Sequence, residues 1–221
     1  AVFSEKAASV AAPIHFAEDE KLLLSAQHYG DGMLYQTLEY GKIEGELGGE
    51  YQIKNTNTIL SLLKVLREKG YNISAEHVRK GFSSITASTG LMGRWQKIGT
   101  NPTISCDAGH NVGGIKYIVE QLSQQKYDTL RIVFGMVNDK DINSVLSMMP
   151  NNATYYFTRA TVKRALPSES LAEQAKSRIG NILHRCQEQF TICQFRIYHL
   201  FTLLNGWVSD AVVVHFHEAL F

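Results

Sequence analysis

The sequence is poor in the features that mark several specialised classes of protein. Its 221 residues include only three cysteines and no CxxC pair, so neither a disulfide framework nor a thiolate zinc site is indicated. Charge of one sign is not in excess either, because 22 Lys and Arg stand against 21 Asp and Glu. This balance argues against nucleic acid or an anionic membrane as a partner. No apolar run approaches the roughly 18–20 residues of a membrane span, and we expect a soluble, cytoplasmic protein.

Two nucleotide-binding fingerprints are also missing. The sequence has neither GxGxxG nor GxxxxGK[ST], and the first absence counts against a Rossmann oxidoreductase. The chain begins at Ala1 rather than at an initiator Met, and no charged segment followed by an apolar block suggests a signal peptide. We therefore expect a piece of a longer protein without a secretory leader.

The first 88 residues are predicted to form strands followed by two helices. Residues 33–40 alternate with the period of a half-buried strand, and a second short strand is expected over residues 42–47. Ser74 is expected to cap the second helix, which carries Val78 and Phe82. Over residues 55–69 apolar side chains recur at i, i+3, i+4 and i+7, which predicts an amphipathic helix with a buried face of Ile59, Leu62, Leu63 and Leu66.

The remaining residues alternate between short strands and helices. We place a domain boundary near Thr89 and an interdomain linker over residues 89–98. Beyond it, strands are predicted over 103–106, 130–134 and 153–157, and helices over 113–122, 139–149 and 168–176. This alternation indicates βαβ units in an α/β fold with a mostly parallel sheet. Ligands of such sheets bind beyond the carboxyl ends of the strands, here residues 107–111, 135–141 and 158–164.

The densest group of chemically active residues follows the first of these strands. Asp107, His110 and Asn111 lie within five residues, and two glycines follow at 113 and 114. An Asp here can accept a hydrogen bond from a ribose hydroxyl or hold a metal-bound water. A His beside a helix N-terminus can donate to a phosphate or carboxylate oxygen. The alternative is an Asp–Asn turn that only caps the next helix, and the pattern leaves both interpretations open.

Three further segments carry weaker signals. Arg94, between a glycine and a tryptophan, suits a bidentate hold on a phosphate, although a surface Arg beside a packed Trp is the somewhat favoured interpretation. In residues 134–141, capping of a helix by Asp139 is favoured over direct chemistry. In residues 49–55, amide side chains such as Asn55 either cap the following helix or read a purine edge, with capping favoured.

In this order, these segments resemble the carboxyl-terminal half of the bifunctional folylpolyglutamate synthase/dihydrofolate synthases of the Mur ligase superfamily. The resemblance covers roughly residues 1–176. It implies that residues 1–88 are the carboxyl-terminal part of a central ATPase domain and that residues 99–221 are a Rossmann-like ligase C-terminal domain. The matching motifs are Gly-Glu-Tyr-Gln-Ile-Lys-Asn at 49–55, Thr-Gly-Leu-Met-Gly-Arg-Trp-Gln at 89–96, Cys-Asp-Ala-Gly-His-Asn at 106–111, Phe-Gly and Asp-Lys-Asp within 134–141, and Thr158 with Arg164-Ala165.

The resemblance implies an ATP-dependent ligase. Such an enzyme phosphorylates a folate or dihydropteroate carboxylate with ATP, and the amine of L-glutamate attacks the acyl phosphate to form an amide. By family position, Asn55 would contact adenine, Arg94 would reach the ATP phosphates and Asp107 would bind the ribose. His110, the candidate catalytic residue, would lie beside the incoming glutamate or the transferring phosphate. The phosphate loop and the Mg²⁺ ligands of the family would lie upstream of Ala1, so we expect a monomer that holds no metal and does not turn over alone.

The tail from about Arg178 departs from the family pattern. It has no Lys after Lys176, yet it holds four of the eight His and two of the three Cys. We find no final strand running into a Gly-Ser element, so residues 178–221 are either a divergent tail or the product of a changed reading frame. A sheet without its closing strands would expose an edge and lower solubility. His215 and His217 are interpreted as two exposed strand residues rather than as zinc ligands.

Other functions remain open. A non-catalytic nucleotide-binding module is one, and a Mur-type ligase acting on a peptidoglycan precursor, which would share Arg94 and Asp107 as residue types, is another. The Asp-Ala-Gly-His-Asn and Gly-Glu-Tyr-Gln motifs favour the folate branch.

Overall fold

The computed structural model describes residues 2–100, 102–138, 141–159, 163–179, 184–185 and 210–215. The chain divides into two compact units. The first unit comprises residues 1–46 and 51–88, and the second comprises residues 47–50 and 89–221. Among the described residues, no helix combines the length and the apolar character needed to cross a bilayer. The assignment of residues 1–88 to an ATPase domain stays a prediction, and the predicted linker at 89–98 runs into the first strand of the second unit.

An antiparallel three-stranded sheet forms the centre of the first unit. Its strand order is β1-β2-β3, and Gly30, at φ +59°, makes the turn between the first two strands. The core contains Met33, Tyr35 and Ile43 from the sheet with Leu60, Val78 and Phe82 from the helices. The elements are α1 (Val2–Ser9), β1 (Leu23–Tyr29), β2 (Gly32–Thr37), β3 (Gly41–Gly45), α2 (Gln52–Glu68), α3 (Ala75–Ser83) and α4 (Ile85–Thr89).

The predicted buried face of α2 is partly wrong. Ile59 is 40% exposed and Leu62 is 55% exposed, whereas Thr56 and Leu60 are buried. Leu63 packs against the core as predicted. The reason is that the sheet and α3 cover one side of this helix, and a periodic apolar pattern does not say which of two neighbouring stripes will be covered. The predicted cap of the second helix is confirmed, because Ser74 Oγ accepts a hydrogen bond from His77 N–H at 3.1 Å.

The second unit contains a six-stranded sheet among the described residues. The strand order is β4-β5-β9-β6-β7-β8, and β4 runs antiparallel to β5 while the other pairs are parallel. The predicted βαβ alternation and mostly parallel sheet are therefore confirmed. The elements are β4 (Gln96–Thr100), β5 (Thr103–Asp107), α5 (Val112–Ser123), β6 (Thr129–Phe134), α6 (Ile142–Met148), β7 (Ala153–Phe157), α7 (Ser168–Ile179), β8 (His184–Arg185) and β9 (Asp210–His215).

Part of the tail, in which the sequence showed no final strand of the family type, forms a central strand of the sheet. Strand β9 lies between β5 and β6, with His215 in register with Asp107 on one side and Phe134 on the other. A run of Ala and three Val at 211–214 suits a central strand of a parallel sheet, where both faces are covered. Cys186, Cys193 and His217 lie outside the described residues, and so does any zinc site built on them.

The helix after β6 begins later than predicted. Its N-cap is Asp141, whose Oδ1 accepts a hydrogen bond from Ser144 N–H at 3.1 Å. Hydrogen bonds from the Ser144 side chain and from its main-chain N–H lower the pKa of the Asp141 carboxyl below its ordinary value. Asp139, the predicted cap, lies outside the described residues, and the cap two residues later means that α6 opens at Ile142.

Candidate functional site

The loop before β4 and the loop after β5 are joined through one carboxylate. Asp107, the last residue of β5, is 2% exposed. Its Oδ2 accepts a hydrogen bond from Trp95 N–H at 2.7 Å, and its Oδ1 accepts one from Gly109 N–H at 2.7 Å. A further main-chain bond, from Ala108 N–H to Gly93 O at 2.9 Å, runs between the same two loops. Asp107 is thus the anchor of a two-loop junction at the carboxyl end of β5.

The Gly93–Trp95 turn is held in an unfavourable backbone conformation. Gly93 has φ +67° and Trp95 has φ +52°, which is costly for a residue with a large side chain. The short hydrogen bond to the Asp107 carboxylate and the packing of the Trp95 ring against the core of the second unit offset this cost. Strained backbone that is overdetermined in this way clusters at functional sites.

Arg94 lies at the tip of this turn. Its side chain is half-buried, and Nη1 donates to Gly93 O at 3.4 Å. Because the residues on both sides of Arg94 are fixed by the bonds to β5 and its loop, the guanidinium is presented from a rigid base. A planar group with five N–H donors in that position suits phosphate or carboxylate oxygens.

The 107–111 loop packs tightly onto the start of α5. A Cβ on Gly109 would lie 2.8 Å from Ile118 Cδ1 and 3.4 Å from Gly114 C, so only glycine fits without a shift. Asn111 is the N-cap of α5, since its Oδ1 accepts a hydrogen bond from Gly114 N–H at 2.8 Å. The capping interpretation of this segment is therefore correct for Asn111, whereas Asp107 has the separate role of joining the loops.

His110 lies between these two residues, directly before the N-cap of α5. Its side chain is half-buried, and Nδ1 lies 3.1 Å from Ala108 O. A carbonyl oxygen can only accept, so this contact places the Nδ1 proton and fixes the plane of the ring. The structure brings Arg94, Asp107 and His110 together in the second unit through two loops at the carboxyl end of β5.

Asn55 belongs to the first unit. It is exposed within the first turn of α2, and its Nδ2 donates to Gln52 Oε1 at 3.0 Å. The N-cap of α2 is Tyr51, with no side-chain cap, so the expectation that Asn55 caps this helix is wrong. The helix starts three residues earlier than the apolar pattern indicated, because its first turn is polar.

The thiol next to Asp107 is not a nucleophile. Burial raises the pKa of the Cys106 thiol to about 12, and the Asp107 carboxylate adds to the effect. Sequence reasoning did not single out Gln121, which is 2% exposed and hydrogen-bonded to residues 48 and 50. Its only signal was a polar residue on the apolar face of a predicted helix.

Main-chain hydrogen bonds join the segment that follows β6 to the segment that follows β7. Asn138 N–H donates to Arg164 O at 3.0 Å, and Leu166 N–H donates to Met136 O at 2.8 Å. Gly135 suits this position, since a Cβ would lie 3.0 Å from Thr158 O. These segments shape the carboxyl edge of the sheet at β6 and β7, and β9 separates them from β5.

Two other observations limit the site. Over the part of the chain that the structure describes, no three His, Cys, Asp or Glu side chains are grouped as metal ligands. A groove of about 860 Å³ in the first unit lies along residues 15–23 and α2, and none of the predicted site residues lines it.

A comparison with protein families finds a match in the second unit of the chain. Residues 93–195 match the family described as Mur ligase, glutamate ligase domain, a range that opens at the strained Gly93 turn and contains Asp107 and His110. The match continues past Arg178, where we expected the resemblance to end. Residues 93–195 are thus similar to the glutamate ligase domain of Mur ligases.

The individual relatives are described as folylpolyglutamate synthases with a second activity. The chain is 28% identical over 145 residues to the dihydrofolate synthase/folylpolyglutamate synthase of Mycobacterium tuberculosis, covering 64% of this chain and 29% of the relative. It is 28% identical over 124 residues to a probable bifunctional folylpolyglutamate synthase/dihydropteroate synthase of Haloferax volcanii, covering 56% of this chain and 14% of that one. The expected resemblance to folylpolyglutamate synthase/dihydrofolate synthases is confirmed.

The fold agrees with that of a solved relative. The structure superposes on Mycobacterium tuberculosis folylpolyglutamate synthase, solved with ADP and AMPPCP, with a TM-score of 0.73 at 22% identity. The superposition covers 99% of this chain and 50% of that chain. The chain therefore spans about half the length of this enzyme, and its matches cover less than a third of the curated relatives.

Proposed function

We propose that this chain is the carboxyl-terminal half of an ATP-dependent ligase that joins L-glutamate to a folate or dihydropteroate carboxylate. The observation that carries the proposal is the Asp107 junction, which holds Arg94 and His110 on rigid loops beyond the carboxyl end of β5. The family that matches this region is named for a glutamate ligase domain, and its relatives are ligases that form C–N bonds with ATP. We expect the protein to act as a cytoplasmic monomer.

The roles follow from the chemistry of the side chains. Arg94 supplies donors to the phosphate oxygens of ATP. The Asp107 carboxylate, at the junction of the two loops, accepts a hydrogen bond from a ribose hydroxyl. Asn55 contacts the adenine edge with its exposed amide. His110, held by its bond to Ala108 O, directs its ring toward the incoming glutamate or the transferring phosphate.

The reaction is written in two steps. The substrate carboxylate attacks the γ-phosphorus of ATP, which releases ADP and leaves an acyl phosphate. The amine of L-glutamate then attacks the acyl carbon, the C–O bond to phosphate breaks, and phosphate leaves as the amide forms. The guanidinium and imidazole donors stabilise the charge that develops on the phosphoryl and carbonyl oxygens. The printed sequence contains no GxxxxGK[ST] phosphate loop, so we expect nucleotide binding but no turnover from this chain by itself.

Fluorescence of Trp95, next to Arg94, offers the test. In a Trp207→Phe background, titration with ADP should give a saturable change in Trp95 emission. Arg94→Gln should weaken ADP binding about tenfold or more, because a charge-assisted phosphate contact is lost. Arg178→Gln, an exposed Arg in the last turn of α7, is the matched control and should bind as the parent does. No saturable change in the parent, or equal affinity in both variants, would count against the proposal.

A non-catalytic nucleotide-binding module that uses the same Asp107 junction is the alternative. Incorporation of radiolabelled L-glutamate into dihydropteroate or tetrahydrofolate separates the two when the chain is supplied with the amino-terminal half of a relative. Labelled product that requires both polypeptides and ATP supports the ligase. ADP binding without any labelled product supports the binding module.

A further inference from the structure

A buried glutamine in the last turn of α5 holds a segment that is more than seventy residues away in the sequence. Gln121 Nε2 donates to Gly48 O at 2.9 Å, and Gln121 Oε1 accepts from Glu50 N–H at 3.2 Å. Both polar ends of the amide are therefore bonded to the main chain of one short segment. The rest of this helix face is apolar and carries Ile115, Ile118 and Leu122.

The position of this amide is costly unless both bonds form. Gln121 is 2% exposed, and Gly48 and Gly49 are buried as well. A buried amide without partners loses its hydration and gains nothing in return. The two bonds therefore make the side chain and the segment dependent on each other. An apolar side chain of similar length would fill the same space and leave both main-chain groups without this partner.

The segment that Gln121 holds has an unusual place in the chain. Residues 47–50 belong to the second unit, although they follow β3 and precede α2 of the first unit in the sequence. They lead directly into α2, whose first turn carries Asn55. At its other end, α5 is capped by Asn111 at the end of the loop that contains Asp107 and His110.

We infer that Gln121 is a positioning residue for the nucleotide site, fixing residues 48–50 on the helix that also follows the Asp107–Asn111 loop. One helix then holds the Asp107–Asn111 loop at its start and residues 48–50 at its end, all within the second unit. The expected effect of Gln121 on nucleotide affinity rests on the proposed function, whereas its effect on residues 48–50 does not. The inference does not require Gln121 to touch the nucleotide.

Hydrogen exchange measures the held segment without any ligand. Gln121→Met keeps the length and apolar packing of the side chain and removes both hydrogen bonds. Gln125→Met, an exposed residue just beyond the same helix, is the matched control. Exchange of the amides of residues 48–51 should rise about tenfold in Gln121→Met and stay at the parental rate in Gln125→Met. Amides of β5 and β6 should keep their protection in both variants.

Two results would overturn the positioning role. Parental exchange at residues 48–51 in Gln121→Met would mean that other contacts hold the segment. Equal loss of protection across the whole second unit would mean that Gln121 is a core residue only. Gln121→Glu is the second variant, in case the first fails to fold. It keeps an oxygen for Glu50 N–H, so the exchange of that amide should rise less than in Gln121→Met.

ADP affinity tests the consequence for the site. Gln121→Met should bind ADP about fivefold or more weakly than Gln125→Met. The amides of β5 and β6 should stay as protected as in the parent. If the parent binds ADP and Gln121→Met binds it equally well, the inference is overturned and the proposed function stands. If the parent binds no ADP, the proposed function fails, and the exchange measurement alone decides whether Gln121 holds the segment.

Discussion

At the scale of single residues, Asp107 is the group on which the candidate site depends. It provides both acceptors for the main-chain donors of Trp95 and Gly109, and it does so from the end of a buried strand. The left-handed backbone of Trp95 persists because the hydrogen bond from its N–H to this carboxylate stabilises it. A binding role for Asp107 and a structural role are therefore not alternatives, since the same carboxylate shapes the loops that carry Arg94 and His110.

Replacement of Asp107 by Ala should measure this anchoring. Two buried N–H donors lose their partner, so we expect the free energy of unfolding to fall by roughly 2–4 kcal/mol. Urea denaturation followed by circular dichroism provides the measurement. Asp128→Ala is the matched control at an exposed position and should change stability by less than about 0.5 kcal/mol. Equal losses in the two variants would contradict the anchoring role.

At the scale of elements, the second unit was more predictable than the first. The strands and helices after residue 100 are separated by short turns and alternate strictly, so their apolar runs identified β5, β6 and β7 within a residue. The helix α2 was harder, because Ile59 and Leu62 continue its apolar pattern onto a side that the described residues leave exposed. Strand β9 was missed as a central strand because its parallel partners, β5 and β6, are distant in the sequence and no local pattern reveals the pairing.

The binding roles of the candidate residues stay predictions. Asp107 and His110 were selected because they lie at the carboxyl end of a predicted strand, and Arg94 because it stands between a glycine and a tryptophan. The hydrogen bonds from Trp95 and Gly109 to Asp107 could not be predicted, since they join residues on separate loops and depend on a positive φ that no local pattern reveals. Gln121 was invisible for the same reason, because its partners are distant in the sequence.

The N-cap of α6 makes a prediction that depends on pH. Hydrogen bonds from the Ser144 side chain and main-chain N–H lower the pKa of Asp141 in the folded protein, so the contribution of Asp141 to stability is present above the ordinary value of 3.8. That contribution is lost as the pH falls through the lower pKa of the folded state. Asp141→Ala should lower the melting temperature at pH 7 by a few degrees and have little effect near pH 2. Thermal melts of parent, Asp141→Ala and Asp141→Ser provide the test, with Ser expected to restore most of the cap. A pH-independent difference would contradict this account.

At the scale of the whole molecule, the chain combines a unit that is similar to the Mur ligase glutamate ligase domain with a smaller unit built on an antiparallel sheet. Apolar side chains of the smaller unit are exposed, among them Phe3 at 80%, Leu24 at 55% and Leu62 at 55%. Exposed apolar surface of this kind favours association. Low solubility of the isolated chain stays a prediction, and its physical basis lies in these side chains, since β9 is present in the sheet of the second unit.

The central claim is that the two loops joined by Asp107 bind nucleotide. The most direct measurement is a titration of the ¹⁵N-labelled chain with ADP, followed by the amide chemical shifts. The account predicts saturable changes concentrated at residues 93–95 and 107–111, with small changes on α7. Saturable changes confined to other residues, or none at millimolar ADP, would contradict it.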